Sequence, residues 1–266
     1  MVDFQQKEHY SIDDLLDIVR LLRGEGGCPW DMEQTHSSIK SDFIEEVCEA
    51  IEAIDLEDTE LLKEELGDVL LQVVFHCRIE EELDSFRFDD VCDDICKKLI
   101  IRHPHVFGDT IVGSTEDVLK NWDNIKKETK GQDSYTDTLT SVAKSLPALM
   151  RAQKVGKRAM RAGMDFRTAD DAMKCVKLET AELEEAVAQG DKQRIEDEFG
   201  DLLFSCVNVA RHLGIDSEIA LKSATDKFIR RFSKTEELLQ MNSIDMKELS
   251  IEELDVYWDK AKKLLK

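Results

Sequence analysis

Three prolines (Pro29, Pro104 and Pro147) and twelve glycines are all that interrupt 266 residues. Apolar residues recur between them at three- and four-residue steps, which reads as an all-α fold. No apolar run is long enough to cross a bilayer. The opening MVDFQQKEHY lacks the basic-then-apolar order of a signal peptide, so a cytoplasmic protein is expected. There is no GxxxxGK[ST] and no GxGxxG, which excludes a P-loop and a Rossmann nucleotide site. Any phosphate must then be held by side chains and metal. The seven cysteines (28, 48, 77, 92, 96, 175 and 206) are odd in number and include no CxxC, so neither a disulfide framework nor a zinc knuckle is expected. No Ser-His-Asp or Cys-His arrangement stands out, and His76 and His212 fall on or beside helical stripes as structural residues. Bases are scarce: 36 against 58 acids, a net charge of −22. That balance argues against a nonspecific nucleic-acid binder or a partner of anionic membranes. A small phosphorylated ligand remains possible where cations neutralise the local acids.

What the chain has in quantity is acid, and it has it twice in one pattern. KEELGDVLLQVVFHC (Lys63–Cys77) and IEDEFGDLLFSCVNV (Ile195–Val209) share an acidic start, a Gly-Asp step and an apolar stripe. Leu66, Val69, Leu70, Val73, Val74 and Cys77 follow helical spacing, and Phe199, Leu202, Leu203, Cys206, Val207 and Ala210 repeat it, each a helix face expected to meet a core. Glu46, Glu49, Glu65 and Asp68 match Glu179, Glu182, Glu198 and Asp201 at one offset (179 − 46 = 201 − 68 = 133). Lys98 and Arg102 match Lys227 and Arg231 (offset 129), and Trp122 with Lys126 matches Trp258 with Lys262 (offset 136). A period this long is a duplicated domain and not a solenoid. The expected organisation is a helical domain over 1–130, a polar linker over 131–140 in KGQDSYTDTLTS, and a second helical domain over 141–266.

Each acidic pair is spaced i, i+3, so both carboxylates leave one side of a helix. If the two helices are antiparallel neighbours, four carboxylates converge, and a hard divalent cation relieves their repulsion. All-oxygen ligation favours Mg²⁺ or Mn²⁺ over zinc. With 58 acids in the chain, one such pair is expected by chance on a solvated face. The separation of 19 residues kept in both copies (65 − 46 and 198 − 179) is what raises the acids above that background. Lys98 with Arg102, and Lys227 with Arg231, present two cations on one helix side and suit a polyphosphate beside a metal, although an ordinary surface helix does the same. The two tryptophans either stack on a base or plug a gap between helices.

EEVCE (Glu45–Glu49) followed by EELGD, and ETAE (Glu179–Glu182) followed by DEFGD, resemble the EExxE…ExxD signature of the MazG family. GCPWD, RHPHVFG, SLPALMRAQK and KFIRRF extend the likeness over nearly the whole chain. The resemblance implies tandem all-α MazG-type bundles and a nucleoside triphosphate pyrophosphohydrolase, giving a (d)NMP and pyrophosphate with Mg²⁺, usually as a homodimer. Carried over, Glu179, Glu182, Glu198 and Asp201 become catalytic metal ligands in the second half, with Glu46, Glu49, Glu65 and Asp68 their counterparts. Lys227, Arg231, Trp258 and Lys262, and in the first copy Lys98, Arg102, Trp122 and Lys126, would hold nucleotide. One departure is Leu178, which stands where the family pattern has its first Glu. Arg194, whose counterpart is Leu61, adds a candidate phosphate contact, and the second half is expected to be the main catalytic one. The readings that compete with general hydrolysis are a nucleotide-binding module without turnover, a structural helical dimer, and a hydrolase restricted to dUTP or dCTP.

Overall fold

The structure, a computed structural model, describes residues 4–114, 117–118, 121–122, 125 and 134–265. Lys126, one of the expected nucleotide contacts, lies outside the described residues, as do 131–133 of the expected linker. The chain falls into two compact units, Met1–Lys126 and Lys127–Lys266. The described residues form helices and no strand, and none of these helices is long and apolar enough to cross a membrane.

Unit 1 contains α1 (Ile12–Arg23), α2 (Pro29–Glu33), α3 (Lys40–Asp55), α4 (Thr59–Glu82), α5 (Phe88–Arg102) and α6 (Pro104–Phe107). Its core is Val19 from α1, Ile39 before α3, and Val74, Phe75 and Ile79 from α4. Unit 2 contains α7 (Tyr135–Thr140), α8 (Ala148–Arg161), α9 (Ala169–Gln189), α10 (Lys192–His212), α11 (Ser217–Met241), a 3₁₀ turn (Met246–Glu248) and α12 (Ile251–Leu264). Buried Ala172, Ala186, Val207, Val209, Leu239 and Ala261 mark its interior.

The elements that matter for function are the hairpins α3–α4 and α9–α10, which are built alike. Glu57 (φ 54°) and Gly190 (φ 71°) turn the chain in the left-handed region. Asp58 then caps α4 by accepting the N–H groups of Glu60 and Leu61, both at 3.1 Å. Asp191 caps α10 by accepting those of Gln193 (3.1 Å) and Arg194 (3.3 Å). A short turn, three residues (56–58) in the first hairpin and two (190–191) in the second, sets the register of each. Glu49 and Glu65 each stand 8 residues from Glu57 (57 − 49 and 65 − 57), and Glu182 and Glu198 each stand 8 from Gly190 (190 − 182 and 198 − 190). Equidistant residues of an antiparallel hairpin face one another, so the constant 19-residue spacing expresses this register. At Gly190 an added Cβ meets nothing within 4 Å. Gly190→Ala therefore carries only the cost of a left-handed L-residue and is expected to lower stability by about 1 kcal/mol in denaturant unfolding.

Within the segment expected as linker, α7 begins where Ser134 and Asp137 cap each other: the Ser134 hydroxyl accepts the Asp137 N–H (3.0 Å), and the Asp137 carboxylate accepts the Ser134 N–H (2.9 Å). The repeated apolar stripes are only partly core. Val74 and Cys77 are buried, but Leu66 is 53% and Leu70 39% exposed, and Phe199 and Leu203 are 52% and 42% exposed.

Candidate metal and nucleotide site

In unit 1 the carboxylates of Glu46, Glu49 and Glu65 offer oxygens all within 4.8 Å of one another, and in unit 2 Glu179, Glu182 and Glu198 do the same. The outer members, Glu49 and Glu182, are exposed, and the other four are half-buried. Asp68 and Asp201, expected as fourth members, are not among these close sets; each follows its Glu by three residues on the same helix. Asp68 still acts on its neighbours at a distance. Glu46 titrates above the ordinary carboxylate value because of burial first, then the charges of Asp68, Glu49 and Glu45. Glu65 is raised by burial, then by Glu49 and Asp68. Glu182 is raised by the charges of Glu198 and Glu179 ahead of burial. Each trio thus concentrates negative charge beyond what its surroundings neutralise.

The trios suit a hard cation. Oxygens around one octahedral Mg²⁺ at about 2.1 Å lie at most about 4.2 Å apart, so sets whose oxygens lie within 4.8 Å of one another need at most a small contraction. Three carboxylates and no imidazole match Mg²⁺ or Mn²⁺ chemistry better than zinc.

Among the described residues, the second trio has company that the first lacks. Arg194 donates to Glu198 (Nε–Oε1 3.4 Å), Glu185 (Nη2–Oε2 3.2 Å) and Gln189 (Nη1–Oε1 2.9 Å), bridging α9 and α10. Cys175, which the motif reading passed over, donates its thiol to Glu179 Oε1 at 3.4 Å. Burial, then that hydrogen bond, push the thiol up. The signal was available, since Cys175 stands i−4 from Glu179 and matches Asp42 of the first copy (175 − 133).

The bases and tryptophans differ between units. Lys227 is exposed and Arg231 half-buried on α11. The Trp258 ring lies 5.0 Å from that of Phe228 and opens on a cavity of about 320 Å³ with Phe232, Met246, Ile251 and Leu254. Lys262, one turn beyond Trp258, pairs with Asp259 at 2.9 Å. In unit 1 Lys98 is exposed, and Trp122 is occupied by its own neighbours: the Arg102 guanidinium sits 5.5 Å from the ring centroid and His103 meets it edge-on at 4.8 Å. His76 and His212, read from the sequence as structural residues, are both engaged by neighbouring side chains. His76 Nδ1 meets His36 Nδ1 at 2.7 Å, with His36 Nε2 on Glu80 Oε1 at 2.7 Å, and His212 Nε2 lies 3.1 Å from Asp165 Oδ1.

The family model described as MazG nucleotide pyrophosphohydrolase domain matches twice, at residues 34–107 and 167–235. Each match contains one carboxylate trio. A Thermotoga maritima protein named nucleoside triphosphate pyrophosphohydrolase/pyrophosphatase MazG is 44% identical over 250 residues, covering 94% of this chain and 95% of that one. An Escherichia coli nucleoside triphosphate pyrophosphohydrolase is 42% identical over 256 residues, 95% of this chain and 97% of its own. The Bacillus subtilis protein YabN is 44% identical over 255 residues, 96% of this chain and 52% of its own.

Proposed function

The chain belongs to the MazG family, and from that premise we infer that it is a nucleoside triphosphate pyrophosphohydrolase, releasing a (d)NMP and pyrophosphate with Mg²⁺. The observation that carries the reading is the same carboxylate trio built twice from one hairpin register. Glu179, Glu182 and Glu198, with Asp201 behind them, would hold the cation in unit 2, and Glu46, Glu49 and Glu65, with Asp68, in unit 1. A divalent ion bound there supplies positive charge against the polyphosphate and acidifies water.

The remaining work falls to the chain's own side chains. Lys227 and Arg231 bind phosphate oxygens from one face of α11, the Arg as a fork and the Lys as a point charge. Trp258 and Phe228 offer aromatic faces to the base. Arg194 offsets one charge of the trio and keeps Glu198 turned into the hairpin. Unit 2 is proposed as the main catalytic half, because its tryptophan opens on a cavity while Trp122 is covered by Arg102 and His103. A homodimer is proposed as well: the half-exposed stripes of α4 and α10 are apolar surface of the kind a second copy covers.

Incubation with each NTP and dNTP, with Mg²⁺ or EDTA, followed by ion-exchange chromatography, tests the reading. The expected result is monophosphate and pyrophosphate with metal only. Diphosphate and inorganic phosphate would overturn it.

A further inference from the structure

The cavity beside Trp258 is apolar except at two residues, Thr235 and Asp255. Thr235 is buried, and its hydroxyl is committed to the carbonyl oxygen of Arg231 at 2.9 Å. Asp255 lines the same cavity from α12, one turn before Trp258, and is exposed. It is the charged group of the lining. Phe228 and Phe232 face this space from α11, and Lys227 and Arg231 are their immediate neighbours in sequence, so the cationic stripe and the aromatic stripe run side by side on one helix.

On the nucleotide reading, the base packs in the cavity against the aromatic pair of Phe228 and Trp258, whose rings touch each other with centroids 5.0 Å apart, and meets a carboxylate at its edge. A carboxylate accepts hydrogen bonds and donates none, so the bases are ranked by the donors they present together. Guanine offers N1–H and the exocyclic amino group side by side and makes two parallel bonds. Adenine and cytosine offer one amino group next to a ring nitrogen lone pair, and uracil and thymine offer one N–H between two carbonyl oxygens that the carboxylate repels. We propose that Asp255 is a specificity-determining residue of the base cavity, selecting guanine nucleotides and disfavouring uracil and thymine. The charge of Asp255 thus runs against restriction of this chain to dUTP.

The test measures kcat/KM for GTP, dGTP, UTP and dTTP with the full chain, Asp255→Asn and Asp255→Ala. A two-point pair discriminates by roughly 5- to 150-fold, so the GTP-to-UTP ratio is expected to exceed about tenfold and to fall about tenfold in both variants. A second readout needs no turnover: in EDTA, GMP should quench tryptophan emission at lower concentration than UMP, and that difference should vanish in Trp258→Phe and shrink in Asp255→Asn. Equal turnover of GTP and UTP, or a ratio unmoved in both variants, overturns the role of Asp255 and leaves the hydrolase intact. No turnover of any triphosphate overturns both.

Discussion

Glu182→Gln is expected to make the metal-free protein more stable and to reduce its turnover at least hundredfold. The two effects share one cause. Glu182 titrates high chiefly because the charges of Glu198 and Glu179 press on it. Removing its charge relieves that repulsion, so the melting temperature in EDTA rises. The same change takes one anionic oxygen donor from the trio, and with it the cation affinity on which phosphate neutralisation depends. Melting curves in EDTA beside initial rates in Mg²⁺ read both effects. On a merely solvated acidic face the variant would leave turnover untouched, and a fall in EDTA stability would contradict the repulsion argument.

Mg²⁺ is expected to raise stability by about 2.7 kcal/mol at a hundredfold excess over its Kd near pH 8, with the gain fading as the pH falls toward the ordinary carboxylate range. The direction of three shifts gives the sign. Glu46, Glu65 and Glu182 all titrate above 4.5 in the folded chain, so between that value and their raised values the folded state holds more protons than the unfolded one. Without metal, stability is greatest below the unfolded value and declines as pH rises through the folded ones. A bound cation offsets this decline only where the carboxylates are ionised. Thermal melts from pH 4.5 to 8, with Mg²⁺ and with EDTA, should therefore diverge with rising pH. Parallel curves would mean that the trios hold no cation.

Much of this site was legible in the sequence because its information is local. Glu46 and Glu49 share a helix, as do Glu65 and Asp68, and the three-residue turn at Glu57 converts a constant spacing into a facing register. What the spacing could not give is depth. Asp68 and Asp201 have the right period to join the trios, yet they stand outside the close sets. The stripes through Leu66 and Phe199 have core periodicity, but periodicity does not say whether the chain itself or a second copy covers a face. Within the expected linker, polar composition hid the reciprocal cap of Ser134 and Asp137, which starts a helix without any apolar stripe. Asp255 left no motif at all. Its meaning depends on Phe228 and Phe232, more than 20 residues away on another helix.

The assignment of hydrolysis to the second trio is tested most directly by comparing matched variants, Glu182→Gln and Glu49→Gln, for pyrophosphate release from GTP in Mg²⁺. The predicted result is a loss of at least hundredfold in Glu182→Gln, with Glu49→Gln keeping most of the activity. Retained activity in Glu182→Gln together with its loss in Glu49→Gln would place the chemistry in unit 1 and contradict the assignment.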